Sequence, residues 1–197
     1  QSATADVEFL HALNETLLKA SCDNEEIERC FARTSFPQRY ERLILMLYAP
    51  GHKRIIVSRA GKEGQLAFSE VLQRLLAHPR CGELSSQAFR VQMDFVVEPP
   101  APVDFYAVGM GNSGERHFEI GIDGLMFQGT DDKLHLFPPG DGFVRSVMTM
   151  GQLRDYLNRV HGEEYLRQAK FKRFRSDSYL SGKDCWLRLY RGYPVVG

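Results

Sequence analysis

The chain has a single tryptophan, and its four cysteines, Cys22, Cys30, Cys81 and Cys185, include no Cys-x-x-Cys pair. That scarcity excludes a disulfide-dense secreted scaffold and a thiolate zinc site, and it predicts free thiols in a reducing, cytoplasmic compartment. Residues 25–31, between Cys22 and Cys30, read as helix. Eight helical residues rise about 12 Å, too far for a bridge. No apolar run approaches the ~20 residues that span a bilayer, so no membrane partner is expected. Neither charge is in excess: 25 Lys+Arg stand against 25 Asp+Glu in 197 residues. This balance argues against a nucleic-acid binder that works by bulk charge. Gly-x-Ser-x-Gly, a P-loop and His-Glu-x-x-His are all absent, and the six histidines are spread singly. No metal set and no cofactor are expected.

The zero charge is a sum of unequal parts. Residues 101–150 hold 3 basic and 7 acidic side chains, whereas residues 151–197 hold 10 and 5. The basic excess centres on Lys170-Phe171-Lys172-Arg173-Phe174-Arg175, with Trp186, Arg188, Tyr190 and Arg191 beyond it. Cations interleaved with rings on strands suit an anionic ligand or an acidic protein surface, while nucleic acid is not favoured.

Periodicity gives the elements. Phe9, Leu10, Leu13, Leu17 and Leu18 predict a helix over about residues 5–20, and Asp23 with Glu26 caps a second. Leu43 to Tyr48 is a buried strand turning at Pro50-Gly51 into an antiparallel partner over residues 54–58. Leu66, Val71, Leu72, Leu75 and Leu76 mark a third helix, and Phe89, Val91, Met93 and Phe95 alternate as a half-buried strand. Short strands are expected at 105–108, 117–122, 124–127 and 133–137. A helix capped by Thr149 and Gln152 follows, then strands over 171–180 and 186–191. The class is α+β, a largely antiparallel sheet flanked by about four helices.

Gly109-Met110-Gly111-Asn112-Ser113-Gly114 has the spacing of a dinucleotide fingerprint but leads into strand periodicity, so it reads as a hairpin loop. His117 and Glu119 lie at i, i+2 on one strand face, a candidate acid–base pair, with Arg145 to hold an oxyanion or phosphate. The ends, Gln1 and Tyr193-Pro194-Val195-Val196-Gly197, read as those of one domain, 1–197, taken from a longer polypeptide whose other domains would be its partners.

The order of features over residues 43–179 resembles the AMMECR-type domain. The resemblance is carried by Arg42–Leu47, Lys53–Ser58, Leu66–Ala77, Val91–Pro100, Glu119-Ile120-Gly121-Ile122-Asp123-Gly124-Leu125, Leu136-Phe137-Pro138 and Met150–Val160. Where that family carries Leu-Arg-Gly-Cys-Ile-Gly, this chain has Lys53-Arg54-Ile55-Ile56-Val57-Ser58 and keeps the arginine alone. The resemblance implies an intracellular α+β domain of two subdomains with a cleft between them. The expected function is a non-catalytic recognition or regulatory domain that holds an anion through Arg54, Arg173, Arg175, Arg188 and Trp186. One alternative is an enzyme using His117, Glu119 and Arg145 among the loops of residues 109–145. Another is a scaffold domain packing on its neighbours through Val195 and Val196.

Overall fold

The computed structural model describes residues 3–61, 67–107 and 118–189. Along the chain run α1 (Thr4–Lys19), α2 (Asn24–Ala32), β1 (Arg42–Tyr48), β2 (Ile55–Ala60), α3 (Phe68–Leu76), α4 (Cys81–Ser85), β3 (Arg90–Val96) and β4 (Ala101–Pro102). There follow β5 (Gly124–Gln128), β6 (Leu134–Phe137), α5 (Asp141–Val144), α6 (Met150–His161), α7 (Glu163–Gln168), β7 (Lys170–Phe174), β8 (Asp177–Ser181) and β9 (Trp186–Leu189). The fold is α+β, with two antiparallel sheets ordered β2-β1-β3-β8-β9 and β4-β7-β5-β6. Each sheet belongs to one of two compact units, the first Gln1–Val97 with Asp177–Leu189, the second Glu98–Ser176 with Tyr190–Gly197. Among the described residues, no helix is long and apolar enough to cross a membrane.

The first unit follows the hydrophobic periods. Phe9, Leu10, Leu13 and Leu17 are fully buried on one stripe of α1, and Asp23 caps α2 by accepting from Glu26 N at 3.2 Å. The apolar run Leu43–Leu47 is buried throughout, and β1 pairs with β2 in the register Leu45↔Val57 and with β3 as Leu45↔Met93. An aromatic core fills this unit: Phe31 stacks on Phe68 at 4.9 Å and Phe9 meets Phe68 edge-on at 5.0 Å. β3 departs from the alternation in its sequence, because Asp94 is only 1% exposed and Met93 to Val96 are buried on both faces. Asp94 accepts from Gln92 Nε2 at 2.9 Å, one of the bonds that permit its burial. All four cysteines are free.

In the second unit Phe105, Phe127 and Phe171 stack at 4.4 and 5.2 Å, beneath Leu153 and Leu157 of α6 and Leu166 of α7. Thr149 caps α6 by accepting from Gln152 N at 3.1 Å, and Gln152 Oε1 accepts from Met148 N at 2.8 Å.

Three strand expectations differ. Residues 105–107 form a turn, because the Asp104 carboxylate accepts from Tyr106 N and Ala107 N. Residues 118–122 are no strand, since Ile120 makes only an isolated bridge to Asp123. The long strand expected over 171–180 is two strands in different sheets, separated at Arg175-Ser176.

Candidate functional site

His117 and the glycine loop 109–114 lie outside the described residues. Glu119 is exposed on a turn that Asp123 organises: Glu119 N donates to Asp123 Oδ2 at 2.8 Å, and Asp123 N donates back to Glu119 O at 2.8 Å. A turn in place of a strand removes the alternation on which the pairing with His117 depended.

The five ligand candidates divide. Arg54, Trp186 and Arg188 belong to the first unit, Arg173 and Arg175 to the second. Arg54 leads into β2 and Arg188 sits on β9, the two outer strands of a five-stranded sheet. Four strand spacings, about 19 Å, part them, so they do not converge. Arg188 is engaged locally, by Asp177 Oδ1 at 3.3 Å and the Tyr179 ring at 5.5 Å. Trp186 is a core residue, 8% exposed, stacked on Phe9 and donating its indole N–H to Asp6 O at 3.0 Å. Its polar atom is spent on holding β9 to α1, which corrects the expectation of a ligand platform.

Arg173 and Arg175 do come together, but on a counter-ion. Asp123, 3% exposed, lies 3.1 Å from Arg175 Nε and 3.9 Å from Arg173 Nη1. Register explains the meeting: β5 starts at Gly124, opposite Phe174, so the residue before it faces the end of β7. The two arginines line a depression of 340 Å³ with Glu98, Pro99, Ala101 and Phe174. With Asp123 beneath and Glu98 at the rim, its positive charge is largely cancelled. Here the acidic stretch and the basic stretch of the sequence neutralise each other.

Arg145 stands elsewhere in this unit, in a larger depression of 680 Å³ lined by Arg145, Ser146, Val147, Gln152, Asp155, Asn158 and Arg159. The tight loop between α5 and α6 builds it. Val147 N donates to Gly142 O at 2.6 Å, and Ser146 adopts a left-handed φ of 57°. Gly142 is required there, because a Cβ would stand 2.7 Å from Ile120 Cγ2 and 2.8 Å from Val147 O. Arg145 is exposed and rests its guanidinium 5.9 Å from the Tyr156 ring centre. Gln152, Asp155 and Arg159 recur at i, i+3 and i+7 on one face of α6. Among the described residues, neither Arg145 nor Arg159 has a carboxylate within 4.0 Å, and Asn158 Oδ1 is buried without a hydrogen-bond donor. Sequence reasoning proposed Arg145 and missed Arg159, although its spacing from Gln152 on an amphipathic helix was a usable signal.

It also missed a histidine pair. His135 on β6 and His161 at the end of α6 meet with ring centres 4.5 Å apart, against Phe127 at 5.1 and 5.0 Å. Tyr165 completes the group, donating to Asp131 Oδ1 at 2.9 Å and accepting from Gly129 N at 3.1 Å. Burial pushes both imidazole pKa values down. Proximity of the other ring lowers His161 further, and Asp131 opposes the shift in each. Among the described residues no three His, Cys, Asp or Glu side chains are grouped so as to hold a metal ion. The available signal was Leu153, Leu157 and His161 at i, i+4, i+8, which continues the buried stripe of α6.

No family model and no curated protein matches the chain. Among solved structures it is similar to an uncharacterized protein from Pyrococcus horikoshii, with a TM-score of 0.58 and 11% identity over 96% of this chain and 98% of that one. At that identity the likeness speaks to fold: the α+β architecture of this chain is shared along nearly its whole length by a protein of another sequence.

Proposed function

We propose that the chain is a non-catalytic recognition domain, AMMECR-like, that binds an anionic group in the α5–α6 depression with Arg145 and Arg159 as its cations. One observation carries this reading: two guanidinium groups share a concave surface, and no carboxylate of the described residues lies within 4.0 Å of either. Cations with no carboxylate partner among the described residues are available to an external anion, whereas Arg173 and Arg175 are engaged by Asp123. Arg54 and Arg188 are therefore assigned no part in this site. The acid–base alternative also draws on Arg145, but Glu119 is exposed on a turn and does not line that depression.

The reading is tested by calorimetric titration with inorganic pyrophosphate at several ionic strengths. Binding should weaken as salt rises. Arg145→Ala and Arg159→Ala should each reduce affinity about five-fold, the equivalent of about 1 kcal/mol for a solvent-facing charge contact. Arg173→Ala should leave affinity unchanged. Affinity indifferent to salt, or indifferent to the Arg145 and Arg159 substitutions together, would overturn the assignment.

A further inference from the structure

We infer that the occupant of the α5–α6 depression is an acidic, partly apolar segment of another protein, an inference that rests on the anion-recognition reading above. Small inorganic anions satisfy only part of what the surface offers. Next in the chain to the lining residues are large apolar side chains in contact with solvent: Val144 is 71% exposed, Met148 63% and Val160 55%. Val144 and Met148 bracket the lining segment Arg145–Val147, and Val160 follows Arg159 on α6. Among the described residues, only Leu18, Val97 and Leu187 are comparable large hydrophobic side chains left exposed. Three of these six exposed side chains thus fall within one stretch of seventeen residues, 144–160, where the cations also are. Such a mixture of apolar side chains and arginine, rimmed by polar groups, is the composition of protein interfaces, where arginine and methionine are enriched.

Asp155 adds the second half of the argument, because its carboxylate lines the same depression as the two cations. A bare polyanion is repelled by Asp155 and offers nothing to the apolar side chains. A polypeptide brings backbone N–H groups for Asp155, carboxylates for Arg145 and Arg159, and apolar side chains for Val144 and Met148. The depression, 680 Å³, lies within the range of pockets that accept a few side chains. The complementary partner is a short segment in which Asp or Glu alternates with Leu, Ile or Phe.

Selection of random twelve-residue peptides displayed on phage against the full chain tests this, followed by fluorescence polarisation with the most enriched peptide. Enrichment of acidic-apolar sequences is expected. Affinity should fall at least ten-fold in Arg145→Glu/Arg159→Glu and three- to ten-fold in Val144→Ser/Met148→Ser, with circular dichroism unchanged in both. Twelve-residue polyglutamate and inorganic pyrophosphate serve as apolar-free probes. If they bind as tightly as the selected peptide, and Val144→Ser/Met148→Ser has no effect, the peptide inference fails while anion recognition stands. If no acidic peptide is enriched and pyrophosphate does not bind, both fall. Enriched peptides that ignore the charge reversal also overturn the inference.

Discussion

Replacing Asp123 should separate the structural from the functional role of the basic strand β7. Its carboxylate, 3% exposed, accepts from Glu119 N at 2.8 Å and from Arg175 Nε at 3.1 Å, with Arg173 Nη1 at 3.9 Å. In Asp123→Ala the Glu119 N–H loses a charge-assisted bond, a cost of about 1.5–3 kcal/mol. Arg175 is 50% exposed and can turn to water, so its lost pairing adds no more than about 1 kcal/mol. The sum is about 1.5–4 kcal/mol. Asp123→Asn keeps an oxygen for Glu119 N and should cost about 1 kcal/mol, while freeing two cations in the depression beside Glu98. Urea unfolding followed by far-ultraviolet circular dichroism reads the stability, because the single tryptophan, Trp186, reports the other unit. Pyrophosphate titration of Asp123→Asn should reveal a second binding event that Arg173→Ala/Arg175→Ala removes. Equal stability of Asp123→Ala and the unaltered chain, or an Asn variant as damaged as the Ala variant, would refute this reasoning.

Other perturbations test the cores and the histidine pair. Phe31, 5% exposed among Phe9, Tyr40, Phe68 and Phe95, should cost about 3–5 kcal/mol on change to Ala, read by Trp186 fluorescence in urea. Burial lowers the folded-state pKa of His135 and His161 below their ordinary 6.5. Their contribution to stability is thus fully present above pH 6.5 and is lost as pH falls through the depressed values, since the unfolded chain takes up protons that the folded one resists. Urea midpoints measured from pH 7.5 down to pH 5 should fall steeply in the unaltered chain and less steeply in His135→Asn/His161→Asn; equal slopes would count against the assignment. A Cβ at Gly129 would lie 2.6 Å from the Tyr165 ring, so Gly129→Ala should displace that ring, break its bond to Asp131 and lower stability by about 1–3 kcal/mol. An unperturbed tyrosine signal at position 165 in the nuclear magnetic resonance spectrum of that variant would contradict this.

What could be read without coordinates was what the chain decides locally. The run Leu43–Leu47 and the caps Asp23 and Thr149 need only near neighbours, and each is where its pattern put it. Phe105 failed because a carboxylate one residue earlier captures the backbone, a competition that strand propensity ignores. The division of residues 171–180 failed because both halves favour strand, and the choice of sheet is made by distant partners, Phe127 for Phe171 and Met93 for Tyr179. The site failed in the same way. Strand residues such as Arg173 look like free cations until Asp123, fifty positions away, is placed beside them. His135 and His161 look solitary until β6 and α6 close on Phe127.

The five-stranded sheet draws β1, β2 and β3 from the start of the chain and β8 and β9 from residues 177–189. During synthesis the second unit's stretch, Glu98–Ser176, therefore leaves the ribosome before the first unit has all its strands. Until Asp177–Ser181 arrives, the edge of β3 opposite β1 has no neighbour, and Met93 and Phe95 lie on that open strand. An edge of this kind is a template for pairing with other chains. The emerging polypeptide is thus open to mispairing from the completion of β3 until Asp177–Ser181 has been made and can cover it.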